Sequence, residues 1–233
     1  MVVAFFASTI LAVVLLRFVP VFCTPLMFIR CYQQHQSGES LKWKHHWVSI
    51  DKMSPSMPVA VMASEDQFFL KHHGFDFKAI EQAAMQNAER KRKLGASTIS
   101  QQTAKNVFLW PGRTWVRKGL EAYFTVLIEL IWSKQRIMEV YLNSIEMGDG
   151  IYGVEAVARE HFNCHAIDLS RSNCALIAAT LPNPRKYSSK NPSDYMVKRK
   201  YKIMKEMKNI PLLPKEGQDV DPQTVSSGIY KKK

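Results

Sequence analysis

Glu65 and Asp66 stand side by side ahead of two aromatic residues, in the run Glu65-Asp66-Gln67-Phe68-Phe69-Leu70-Lys71-His72-His73-Gly74. A carboxylate in such a run can serve as a general base when partners orient it and a proton lies within hydrogen-bond reach. Alone, a Glu-Asp pair also reads as a solvated helix end, and clustered histidines cap or pack. A second set follows at Gly95-Ala96-Ser97-Thr98-Ile99-Ser100-Gln101-Gln102-Thr103-Ala104-Lys105-Asn106. There a glycine turn feeds a helix start with two hydroxyls, whose free N–H groups and positive dipole end suit an anion. Thr98, Gln102 and Lys105 fall at i, i+4 and i+7, so one face is polar where a core helix would be apolar. A third set is Arg113 followed by Arg117-Lys118-Gly119-Leu120-Glu121. Arg117 and Glu121 make either a surface salt bridge, worth about 0.3–0.5 kcal/mol, or, with Arg113, a guanidinium clamp for a diphosphate near a second carboxylate.

The stretches that carry these residues have helical spacing. Pro58 suits a first helical turn, with Val59, Val61 and Met62 behind it. Asp76 is an N-cap for a helix from Phe77 to about Lys91, and Ser97 caps another into Asn106. Trp110-Pro111-Gly112 breaks the chain. Lys118 to Asn143 reads as one long helix, and Gly148-Asp149-Gly150 turns it. Val154 to Phe162 forms a further helix, closed by Asn163 in the left-handed cap usually given to glycine. Helices from Ser170 to Leu181 and from Ser193 to about Met207 complete a mostly α pattern. No strand-period alternation stands out.

Residues 2–16 carry no charge. They fall short of the ~20 residues of a spanning helix, but with Arg17 snorkelling the span extends from Val2 to about Val21. A signal peptide and a buried core helix compete with this transmembrane reading. No basic residue precedes the segment, so the positive-inside rule does not place the following domain outside; either the true start lies upstream or other signals set the orientation. The expected organisation is an anchor over 1–22, a membrane-proximal connector over 23–57, a catalytic domain over 58–210 and a disordered tail over 211–233. The connector is loop-like at Gln33, Gln34 and Gln36 to Ser40, with Trp43 and Trp47 suited to an interface or to a core.

Of the 233 residues, 46% are hydrophobic and 22% charged, enough for one sizeable domain. The net charge of +12 attracts nucleic acid, anionic lipid or a phosphate-bearing substrate, and no nucleic-acid module is visible. Lys91-Arg92-Lys93 and Lys198-Arg199-Lys200 read as anionic-lipid patches or as solvated faces. Cys23, Cys31, Cys164 and Cys174 show neither CxxC nor zinc spacing. Unlinked thiols are the favoured state for Cys164 and Cys174 over a bridge.

Set in order, the motifs resemble one family. Glu65-Asp66-x-x-Phe69-x-x-His72-x-Gly74, Gly95-x-Ser97-Thr98-Ile99-x-Gln101-Gln102-x-x-Lys105-Asn106, Arg117-Lys118-x-x-Glu121 and Ile137-Met138-Glu139-x-Tyr141-Leu142-Asn143 resemble the peptidoglycan glycosyltransferases. That family is shared by bifunctional penicillin-binding proteins and a short monofunctional form. Gly153-Val154-Glu155-Ala156 and Leu181-Pro182-Asn183-Pro184 extend the likeness, which covers about 58–207. The length leaves no room for a transpeptidase domain, so the monofunctional form is expected.

The resemblance implies a mostly α fold with a lysozyme-like lobe and a small membrane-facing jaw near Val107–Trp115. It implies that lipid II is polymerised onto a nascent glycan strand held through diphosphate on a polyprenyl lipid. Glu65 would be the base on the acceptor hydroxyl, with inversion at the donor carbon. Glu121 would be the second catalytic carboxylate. Asp66, Ser97, Thr98, Gln102, Lys105, Arg113 and Arg117 would bind substrate. No cofactor is required, and Mg or Mn is an optional partner of the diphosphate; no certain metal ligand is visible. Membrane lipid and cell-wall synthesis or division proteins are expected partners, nucleic acid is not, and the expected place is the outer face of the bacterial inner membrane.

Three rivals remain. A lysozyme-like glycan-cleaving enzyme also uses a glutamate, but has no need of Lys105, Arg113 and Arg117. A membrane-anchored basic anion-binding protein explains the charge but not the glutamate motifs. A catalytically dead scaffold does not explain why the motifs are intact.

Overall fold

The computed structural model describes residues 1–89, 95–112 and 114–218. Its centre is helix α3 (Ser56–Glu65), in which every residue from Met57 to Ala63 is buried. A helix apolar on all sides must be surrounded. Its neighbours are α9 (Arg171–Thr180) and α10 (Asp194–Glu206), which pack on each other and are joined through the stretch that holds Pro182 and Pro184. A second layer is α5 (Ile99–Phe108), which packs on α6 (Trp115–Ile131) and α7 (Lys134–Ser144). Tyr141, Phe69, Met62, Ile99, Ile128 and Ile137 are among the fully buried side chains of this core.

The helix starts follow from local sequence. Hydroxyls of Thr98, Thr114, Ser133 and Ser170 accept a backbone N–H three residues on, which satisfies one of the four orphan donors at each start. Asp76 does the same for Ala79 in α4 (Phe77–Glu89). Ser193 precedes α10 without a side-chain cap bond. The N-cap of α5 is Thr98 rather than the expected Ser97. The expected helix from Lys118 to Asn143 is two helices, because Trp132 is extended and Ser133 caps a new start. The Val154–Phe162 helix is a short α8 (Val154–Val157) that widens into a π-helical turn over Ala158–Phe162, and Asn163 closes it at φ 53°.

The stretch expected as loop around Gln33 to Gln36 lies in α2 (Pro25–Gln36), started by Pro25 in the first turn. Beyond it a small sheet forms in the order β1-β3-β2, from β1 (Lys44–His45), β2 (Glu146–Gly148) and β3 (Ile151–Tyr152). Strands of two or three residues carry too few positions for alternation to be seen. Asn143 fixes this segment: its side chain exchanges hydrogen bonds with Val48, 3.0 Å from Val48 N and 2.9 Å from Val48 O. Gly153, at φ +80°, lies so close to Asn143 that a Cβ would stand 2.6 Å from its carbonyl oxygen.

Helix α1 (Val2–Phe18) lies against α6. Thr9 Oγ1 is 2.8 Å from the Tyr123 hydroxyl, and Trp132 Nε1 donates to Val13 O at 2.8 Å. Arg136 donates to Leu16 O and Val19 O, supplying partners for the last carbonyls. The helix ends at Phe18, with Val19 extended before Pro20. Among the described residues no helix is long and apolar enough to cross a membrane. At the other end of the chain, Leu213 packs on the core and Glu216 N–H donates to Gln135; the expected disordered tail otherwise lies outside the described residues, as does the Lys91-Arg92-Lys93 run. All four cysteines are free thiols, and burial pushes Cys174 up to about 11.

Candidate active site

Glu65 is the last residue of α3 and Asp66 its C-cap. Two acids at the negative end of a helix oppose the dipole, so stability alone would not place them there. The next layer compensates: the first N–H of α5, at Ile99, donates to Asp66 Oδ2 at 2.9 Å. His72 Nε2 lies 3.0 Å from both Asp66 oxygens, while His72 Nδ1 accepts from Gly74 N at 3.2 Å. The Gly74 bond leaves the proton on Nε2, so His72 donates to Asp66. Gly74 closes this turn at φ +91°, where a Cβ would stand 2.8 Å from Thr125 Cγ2. The Asp66 carboxylate, 8% exposed, thus ties the end of α3 to the start of α5.

That tie sets Glu65 beside Gln102. Gln102 Nε2 donates to Glu65 Oε2 at 3.3 Å, and the Tyr141 hydroxyl donates to Gln102 Oε1 at 3.2 Å. Tyr141 therefore turns the amide so that its NH2 faces the carboxylate. Burial first, then the charges of Glu65 and Asp66, push the Tyr141 hydroxyl well above its ordinary value, which keeps it a neutral donor. On the other carboxylate oxygen, Ser64 Oγ donates at 3.0 Å and Arg199 NH2 lies at 3.8 Å. Arg199 also donates to Ser64 Oγ at 3.1 Å. The groups that touch the base are polar; Phe69 is buried in the core beneath Lys134 and Phe68 is half-exposed.

Arg199 is a site residue that sequence reading missed. It reads as part of a basic patch, yet α10 brings it onto Glu65 from 134 positions away in the chain. Only the helical period of α10, which turns Arg199 inward with Met196 and Ile203, hints at it.

Farther along α5, Lys105 lies in the field of Glu121 and of Glu65. Burial pulls its ammonium below the ordinary value of 10.5, with Glu121 opposing that shift and Arg117 and Lys118 adding to it. Glu121, 3% exposed, accepts from Arg117 NH1 at 2.7 Å through one oxygen and from Lys118 Nζ through the other. Arg117 is 8% exposed, and its Nε has no partner among the described residues. Glu121 thus holds two cations in place and leaves donor capacity on Arg117. Both of its oxygens are engaged by cations, which does not fit a divalent ion on this carboxylate. Among the described residues no group of three or more His, Cys, Asp or Glu side chains is placed to hold a metal.

Of the other expected site residues, Ser97 is exposed at the cleft, whereas the Thr98 hydroxyl is buried and donates to Gly74 O at 2.6 Å as part of the cap. Arg113 lies outside the described residues. Two clefts meet this line of side chains. One, of about 290 Å³, is lined by Glu65, Asp66, Phe68, Asp76 and Ser97. The other, of about 310 Å³, is lined by Gln102, Lys105, Asn106 and Trp110. A larger hollow of about 890 Å³ lies at the opposite end of α3, beside Pro55, Arg136 and Leu213. It holds none of the candidate site residues, so the chemistry is placed at the smaller clefts.

Residues 33–208 match the family model of the transglycosylases. The chain belongs to the transglycosylase family. Among similar relatives, a biosynthetic peptidoglycan transglycosylase of Bacteroides thetaiotaomicron is 63% identical over 90% of this chain and 85% of its own length. Proteins of the same name from Bdellovibrio bacteriovorus and Caulobacter vibrioides are 52% and 51% identical, over 92% and 85% of this chain and 85% and 84% of their own lengths. The transglycosylase match begins within α2 and ends just past α10, so it takes in every described site residue named above.

Proposed function

We infer that the protein is a peptidoglycan glycosyltransferase that joins lipid II to a growing glycan strand, with Glu65 as the general base. The observation that carries this reading is a carboxylate at the end of α3, held by Ser64, Gln102 and Arg199 beside one cleft, with Lys105 lining the other cleft one turn beyond Gln102 on α5. Family membership and the relatives' name support the same reaction.

In the proposed step Glu65 takes the proton of the acceptor's sugar hydroxyl. That oxygen bonds to the anomeric carbon of the donor from the face opposite the leaving group, and the bond to the lipid diphosphate breaks with inversion. Gln102 fixes the carboxylate in position. Lys105 and Arg117 offset the charge that grows on the diphosphate, an electrostatic term that can be worth several kcal/mol per donor in a water-poor site. Glu121 acts by aiming Arg117 and Lys118. A divalent cation could neutralise charge on the diphosphate itself, but no step here is routed through one.

We place the enzyme at the outer face of the bacterial inner membrane. The support for membrane contact is apolar exposure, at Phe5, Phe6, Leu11 and Leu15 of α1, Trp115 and Val116 at the start of α6, and Phe77 and Met85 of α4; the outer face follows from the proposed product, a glycan of the cell wall. The start of α6 and α4 would form the membrane-facing jaw, set against a lysozyme-like lobe. The test is polymerisation of purified lipid II by the whole protein in detergent. Glycan strands as product support the reading; no polymer, together with cleavage of finished glycan, overturns it.

A further inference from the structure

The cleft beyond Gln102 and Lys105 has a far wall that none of the catalytic motifs supplies. Leu26 and Arg30 of α2 form part of it, with Glu146 of β2 beside them. Arg30 lies ahead of residue 33, where the family match begins. Glu146 is 5% exposed, yet its carboxylate has only long contacts, 3.4 Å to Arg30 Nε and 3.5 Å to Gly150 N. Arg30 Nε makes no hydrogen bond among the described residues, and neither does the buried hydroxyl of Tyr152, the strand partner of Glu146. Burial, opposed by Arg30, pushes the Glu146 carboxyl above its ordinary value, as expected of an acid short of partners.

The rest of the lining decides what the pair would take. Trp110 is 43% exposed and offers an indole wall, and Asn106 offers an amide. Glu146 offsets the charge of Arg30, so the pair itself adds little for an anion, and a diphosphate is left to Lys105 in the same cleft. A neutral sugar ring gains more. Its hydroxyls can donate to the carboxylate, its oxygens or acetamido carbonyl can accept from the guanidinium and the amide, and its C–H face can lie on the indole. The volume of about 310 Å³ is at the low end for ligand clefts, ~300–1,000 Å³.

We propose that Arg30 and Glu146 are a positioning pair that holds a sugar ring of the donor glycan in this cleft, so that α2 completes the substrate site. This rests on the glycosyl-transfer reading above, and the test separates the two. A soluble, uncharged tetrasaccharide of β-1,4-linked N-acetylglucosamine, with neither lipid nor diphosphate, is titrated into the whole protein and followed by ligand-line broadening in NMR. Wild type and Glu65→Gln should bind it equally. Arg30→Met and Glu146→Gln should each weaken it about tenfold, or ~1.4 kcal/mol. In turnover the same variants should raise KM for lipid-linked glycan by a similar factor, with kcat within about threefold. No binding by wild type, or equal binding by both variants, overturns the pair. So does a loss of kcat that tracks lost thermal stability while binding is unchanged. If Glu146→Gln does not fold, Arg30→Met, at a partly exposed position, decides the matter. Failure of wild type to polymerise lipid II while still binding the tetrasaccharide would sink the transfer reading and leave the sugar site standing.

Discussion

Asp66→Asn tests whether the acid next to the base is scaffold or substrate contact. The Asp66 carboxylate accepts from Ile99 N at 2.9 Å and from His72 Nε2 at 3.0 Å. An asparagine offers one oxygen and one NH2, and both facing groups are donors. His72 cannot switch tautomer without losing the Gly74 N–H to Nδ1 bond. With its oxygen at the Oδ2 position the asparagine can still accept from Ile99 N, but its NH2 then stands at the Oδ1 position, 3.0 Å from His72 Nε2, donor against donor, at about 1–3 kcal/mol. Loss of the negative charge removes roughly 0.3–1 kcal/mol at the N-terminus of α5 and relieves a term of the same order at the C-terminus of α3, so the two dipole terms largely cancel. The net loss is about 1–3 kcal/mol, readable as a lower midpoint in denaturant unfolding with unchanged m. Below that midpoint kcat should fall, because Glu65 and Gln102 lose their fixed relation, while KM for lipid II stays within about threefold. An unshifted midpoint with a raised KM would refute the reasoning and make Asp66 a substrate ligand.

Three further outcomes follow from the same contacts. Arg199→Met should lower kcat about tenfold, or ~1.4 kcal/mol, with KM nearly constant in lipid II kinetics, since it frees Ser64 and Glu65 without touching the Lys105 side. Tyr141→Phe should lower kcat several-fold and stability by about 1 kcal/mol in denaturant melts, because Gln102 loses the bond that orients it. Lys105 is held below its ordinary value by burial, so the unfolded chain binds more protons than the folded one between the folded value and 10.5. Its contribution to stability is therefore unfavourable at neutral pH and eases as pH rises through that window. Lys105→Met should raise the unfolding midpoint at pH 7 yet cut kcat at least ~100-fold, and the alkaline limb of wild-type kcat should lie below 10.5.

Much of this was legible from local signals. The caps at Asp76 and Ser170 and the left-handed Asn163 come from residue types whose side chains or backbone fit one geometry. The polar face of α5 is visible as spacing, and it carries Gln102 and Lys105 to the site. What escaped was set by distant partners. The break at Trp132 looks like continuing helix until Ser133 is seen to cap Arg136 N, with the indole of Trp132 turned to Val13 O. Strands β1 to β3 are too short to show a period. Arg199 sits in a run of cations that reads as solvated, and only the packing of α10 on α3 and α9 turns it toward Glu65. Thr98 and Asp66 line the cleft beside Ser97, and their hydrogen bonds also tie α5 to the Gly74 turn and to the end of α3, a role that residue type alone does not show.

The most direct measurement is lipid II polymerisation by Glu65→Gln. The amide keeps the shape and can still meet Ser64 and Gln102, so the variant should unfold at nearly the wild-type midpoint. It cannot take a proton at the acceptor hydroxyl, so turnover should drop by at least ~100–10,000-fold, the range of general-base catalysis. Polymerisation at the wild-type rate by a folded Glu65→Gln protein would contradict the account.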